Sequence, residues 1–281
     1  MSAKMDRDCN AGSSRRLLIL GILGCLLYVA GDFLYAATGK GQTTESIGLF
    51  VKVAYLDIAT WRMQASILCG FVGTFLYYMG FHRMYRLLKL RMTEEKNRIW
   101  VKLFRVAYMT GTVAWVWVHA MFMTLALIFK FVYQAYGDME TAADIATRVF
   151  YANAPGMLAA YVLCDIGLTV IMIVLVWKRV IPLKSTLSRI LATLCNPILM
   201  PGVVGNLAAL LPWPVNQLDH GTESLGHALV LMLGLDRRPP LWKAMLFSAV
   251  VTLSTYLFFE NAVHVLLPSG VWMKPLLRAL R

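Results

Sequence analysis

Ten residues in this chain carry chemistry at places where apolar side chains are expected. Asp32, His119, Asp165, Glu223, His227, Glu260 and His264 fall inside or at the edge of long apolar runs; Arg62 opens one, and His220 and Tyr256 stand beside the others. A charge at bilayer depth costs roughly 2.5–3.5 kcal/mol, so it faces a partner, a cavity or a ligand. Spacing sharpens two groups. Tyr256, Glu260 and His264 recur every four residues and line one helix face. His220, Glu223 and His227 are separated by three and four, again one face of a regular helix. The ends of that second set lie roughly 10.5 Å apart along a helix axis, so one metal ion takes Glu223 with one flanking histidine and not all three.

Three chemistries suit such a set. Imidazole and carboxylate are zinc ligands, and a zinc hydrolase needs about three of them plus a water. The metal candidates are His220, Glu223, His227 and His264, with Glu260 as general base and Asp32, Asp165 and His119 as further ligand or orienting groups. The same residues can instead tie helices together by hydrogen bonds worth about 0.6–2 kcal/mol each. Or they can line a pocket for a small molecule, a lipid headgroup or a proton. Convergence of many polar groups at one depth favours the pocket.

The elements that must hold them are seven apolar runs, at residues 16–37, 63–81, 106–129, 156–177, 190–211, 221–235 and 244–267. Crossing a hydrocarbon core about 30 Å thick takes around 20 helical residues. The sixth run, at roughly 22 Å of helix, is read as a span, with a re-entrant segment or half of a broken helix as alternatives. Asn196-Pro197 and Pro201 predict a kink in the fifth run, because each proline frees a carbonyl four residues earlier. Residues 38–61 read as an interfacial helix, residues 133–155 as an exposed helical loop, and residues 268–281 as an interfacial tail.

Composition agrees with a polytopic all-α membrane bundle in one domain. Of 281 residues 59% are hydrophobic and only 15% charged, against about 45–50% and about 25% in soluble domains. Lysines and arginines number 19 on one side of the alternating runs and 8 on the other. That bias places the N-terminus in the cytoplasm and the C-terminus outside. It also accounts for the net charge of +12 without nucleic acid, since no RNA- or DNA-binding motif accompanies the basic residues. With this topology the ionisable residues sit in the outer half. Several classes drop out: no mid-span lysine for a retinal Schiff base, no GxSxG elbow, no HExxH pair and no Walker loop.

The segments Gly31-Asp32-Phe33-Leu34, Gly70-Phe71-Val72-Gly73 leading to Tyr77-Tyr78-Met79-Gly80-Phe81, Trp117-Val118-His119-Ala120, Asn196-Pro197 and Pro212-Trp213-Pro214 together resemble a family of uncharacterised bacterial multi-span proteins, a domain of unknown function, over roughly residues 16–235. That resemblance implies a membrane bundle and no particular activity. The expected protein thus has an outward-facing polar pocket, with the lipid bilayer and a small molecule or lipid as its partners. A metal-dependent hydrolase of a lipid-like substrate and an inert scaffold are the alternatives.

Overall fold

The computed structural model describes residues 2–37, 45–47, 51–92, 94–183, 185–194, 196–210 and 221–235. His220, Tyr256, Glu260, His264 and the seventh run lie outside the described residues.

Helices dominate. α1 (Ser2–Ala36), α2 (Thr60–Arg91) and α3 (Arg98–Tyr136) run up and down beside one another. Gly137 ends α3 in the left-handed conformation (φ 72°), its N–H returning to the Tyr133 carbonyl. Asp138 then caps α4 (Met139–Ala160), accepting from the N–H groups of Glu140 and Thr141. A π-helical turn (Tyr161–Ile166) joins α4 to α5 (Gly167–Trp177). Four helical stretches, Arg15–Ala36, Thr60–Arg91, Glu95–Tyr136 and Met139–Trp177, are long and apolar enough to cross a membrane.

Glycines set the closest contact. A Cβ on Gly21 would stand 2.5 Å from the Gly80 Cα, and one on Gly24 would stand 2.6 Å from the Gly73 carbonyl oxygen. Any side chain there would push α1 off α2. Gly70 does something else: its missing Cβ leaves room for the His119 ring, 2.4 Å away.

Three expected elements differ. Residues 38–61 do not form one helix: the described part holds a short antiparallel hairpin (Ser46–Ile47 with Val51–Lys52) and a 3-10 turn (Val53–Leu56). Their apolar side chains Val51, Tyr55 and Ile58 pack against Met63, Phe129 and the alanine face of α4, so packing outweighs helical periodicity. Residues 133–155 are helical but not an exposed loop: they hold the end of α3 and most of α4, with Ala142, Ala143 and Ala146 buried. The sixth run forms a helix too short to span, and the fifth breaks where its prolines predict. α6 (Thr186–Leu194) stops before Asn196-Pro197, and a second π-helical turn (Met200–Gly205) leads into the short α7 (Asn206–Ala209). The carbonyl of Thr193 that Pro197 leaves free is taken by the Asn196 side-chain amide. The Asn196 Oδ1 in turn accepts from the N–H groups of Ile198 and Leu199.

α8 (Thr222–Met232) has 11 residues, roughly 16 Å, about half of a bilayer core. Leu231 packs at the Gly21–Gly80 contact and Gly234 beside Leu18, while Gly221 abuts Val29. It therefore runs antiparallel to α1, and its N-terminus starts part-way along the bundle. Of the three forms considered for this run, a half-helix fits.

Candidate functional site

Two connected cavities lie where α1, α3, the π-turn and α8 meet. The larger, about 190 Å³, is lined by Tyr28, Asp32, Tyr35, Trp115, Val118, His119, Phe122, Met123, Tyr161, Glu223 and Ser224. The smaller, about 20 Å³, is lined by Cys25, Tyr28, Tyr77, Trp115, Glu223, Ser224 and His227. The small one has room for one water, the large one for several or for a compact solute. Tyr28, Trp115, Glu223 and Ser224 belong to both walls.

Two histidine–aspartate pairs flank Glu223. His119 Nδ1 stands 3.5 Å from Asp32 Oδ1, and His227 Nε2 stands 3.5 Å from Asp165 Oδ1. In each ring the other nitrogen meets a backbone carbonyl: His119 Nε2 lies 3.0 Å from the Ser66 oxygen, and His227 Nδ1 lies 3.1 Å from the Glu223 oxygen. A carbonyl only accepts, so in the tautomer that makes this bond the ring nitrogen carries the hydrogen and donates it. In a neutral ring the nitrogen facing the aspartate then has a bare lone pair, opposed to carboxylate lone pairs. Repulsion is avoided only if the pair holds one further proton, on the imidazole or on the carboxyl. Each pair can therefore take one proton between ring and carboxyl, and is then neutral as a unit.

Asp165 owes its position to the π-turn. The extra residue in that turn brings Cys164 and Asp165, neighbours in sequence, both into the interior. Such turns recur at functional sites because they re-aim side chains within an otherwise regular helix. Asp165 is buried with the Glu223 carboxyl beside it, and His227 Nε2 stands at 3.5 Å. The Glu223 carboxyl lies near enough to those of Asp165 and Asp32 to interact with both, so it stands between the pairs. It occupies the first turn of α8, where the helix dipole favours negative charge.

Of the ten sequence-predicted residues, the structure brings together Asp32, His119, Asp165, Glu223 and His227. Arg62 is elsewhere: its guanidinium donates to the carbonyls of Leu34, Phe33 and Ala37, closing the end of α1. It lines neither cavity. His220 lies outside the described residues; α8 begins just after the left-handed Gly221 (φ 76°). Among the described residues no three His, Cys, Asp or Glu side chains are grouped to hold a metal ion.

Sequence reasoning missed the aromatic walls. The signal was there: Tyr28, Asp32 and Tyr35 are spaced four and three, as are Trp115, His119 and Phe122. Each trio is one helix face bearing one ionisable residue between two rings.

The sequence model of a family of unknown function (DUF6796) matches residues 4–236. The chain belongs to that family. The match takes in all five clustered ionisable residues as well as α8. No curated protein and no solved structure matches the chain.

Proposed function

We propose that this chain is a multi-pass integral membrane protein, N-terminus inside, whose outward-half polar cavity binds and passes a small solute in step with protonation of Glu223. The observation that carries this is the convergence of four ionisable residues, Asp32, His119, Glu223 and His227, from three helices on adjoining cavities, with Asp165 beside His227. Inert helix tethers would not need a cavity of about 190 Å³ between them. The breaks support it too. In membrane carriers, discontinuous helices end at the substrate site near the midplane; here half-helix α8 begins at the cavity and packs its Gly226 on the Asn196-Pro197 break.

Hydrolysis has one attraction, because Ser66, His119 and Asp32 follow the order of a serine triad, with Ser66 Oγ 3.2 Å from His119 Nε2. Two facts weigh against it. That nitrogen has the Ser66 carbonyl to serve, and the Ser66 hydroxyl donates to Met123 Sδ. Ser66 is also fully buried and lines neither cavity, so no ester carbonyl reaches it.

Infrared spectroscopy of the purified full chain, titrated from acid to alkaline pH, tests the proposal. The expected result is a protonated-carboxyl band that disappears on alkalisation and is missing in Glu223→Gln, with helix content intact. A chain with no titrating carboxyl, or one in which Glu223→Gln and Asp32→Asn both fail to fold, would make these groups structural.

A further inference from the structure

The charge and shape of the cavity narrow the solute. With one proton held between ring and carboxyl, each histidine–aspartate pair is neutral as a unit. Glu223 is left over. No lysine or arginine lines either cavity among the described residues, so its carboxylate has no cation there. Around it stand the rings of Tyr28, Tyr35, Trp115, Phe122 and Tyr161. His227, 4% exposed, closes the inner end, its Nε2 turned to Asp165. One net negative charge inside an aromatic box is the complement of a compact organic ammonium, whose diffuse charge rests on ring faces. An anion finds no such welcome: the N-terminal dipole of α8 is already occupied by Glu223 itself. A strongly hydrated alkali ion would need a full shell of oxygens, which ring faces do not supply.

We infer that the cavity takes a small monovalent organic ammonium ion, held by Glu223 and the surrounding aromatic rings, in exchange for one proton from the Glu223 carboxyl. The balance is simple. The O–H bond of Glu223 breaks, its proton leaves to solvent, and the ammonium ion takes its place as counter-ion, so the cavity stays neutral throughout. This rests on the cavity being the protonation-linked binding site proposed above.

The test is titration of the full chain in neutral detergent, weakly buffered with a pH-indicator dye, using tetramethylammonium, choline, sodium, acetate and glycerol as probes. Tetramethylammonium and choline should bind saturably and release about one proton per ion, whereas sodium, acetate and glycerol should release none. Glu223→Gln should abolish the release and weaken binding at least about tenfold. Trp115→Leu keeps the carboxyl but removes a ring, so it should weaken binding about tenfold while still releasing the proton. It also keeps the inference testable if Glu223→Gln does not fold. Sodium matching tetramethylammonium, or Trp115→Leu binding as tightly as the native chain, overturns the inference. So does a chain whose Glu223 titrates by infrared but which binds neither ammonium probe, and in that case the protonation-linked cavity survives. Absence of any Glu223 titration removes both.

Discussion

The two histidine–aspartate pairs are chemically alike and physically unlike. Both meet at 3.5 Å, and both fix the histidine through a carbonyl. Yet the Asp32 side chain keeps 29% of its surface open, against 4% for Asp165. Asp32 and His119 line the wide cavity, and Tyr35 beside them reaches over to the Tyr55 hydroxyl of the covering 3-10 turn. Asp165 and His227 sit behind, where the π-turn, α8 and the Asn196 break pack together. The two pairs therefore differ in surroundings: an outer pair that borders the wide cavity, and an inner pair enclosed by packing. The contrast shows how packing, rather than residue type, sets the surroundings of each pair within a polar cluster.

The comparison breaks most violently at Gly226. A Cβ there would lie 2.6 Å from the Asn196 carbonyl carbon and oxygen, backbone atoms that cannot turn aside. Gly226→Ala should separate α8 from the break and cost about 3 kcal/mol. Thermal unfolding in detergent should show the loss, and proton uptake by the inner pair should fail with it. A variant as stable as the native chain would mean that α8 is not anchored there.

A smaller effect separates the pairs directly. Asp165→Ala strands the His227 Nε2 lone pair in a dry interior and should cost about 2 kcal/mol, whereas Asp165→Asn supplies an N–H to that nitrogen and should stay within about 1 kcal/mol. Asp32→Ala, at the wall of the wide cavity, should also stay within about 1 kcal/mol. Chemical denaturation of the three variants side by side measures this, and equal losses for the two alanine variants would erase the distinction between outer and inner.

The smallest effect comes from an acid outside both pairs. The Thr141 hydroxyl and the N–H groups of Thr141 and Glu140 hold the Asp138 carboxyl below the usual carboxylate range. A depressed native value means that the cap's contribution is present above the unfolded carboxylate's pKa and is lost as pH falls through the native one. Amide exchange at the start of α4 should therefore quicken only in that acid window, and Asp138→Ala should make it fast at every pH. Exchange at the two pairs should not follow it.

Much of this molecule could be read before any fold was known. The apolar runs, the basic bias between them and the break at Asn196-Pro197 follow from composition and from the missing N–H of proline, which act locally. Asp32, His119, Asp165, Glu223 and His227 could be singled out because a charge in an apolar run has few fates. Their pairing could not. Which nitrogen of each ring meets an aspartate depends on a carbonyl 53 residues away in one case and on a helix four residues long in reach in the other. The π-turn that turns Asp165 inward has no sequence period of its own, because it departs from the helix by one residue. Arg62 resembled a ligand-binding cation until tertiary contact placed the end of α1 against it. Sequence sets which side chains must find partners; only packing, where a missing Cβ at Gly70 or Gly226 decides how close two helices come, chooses the partners.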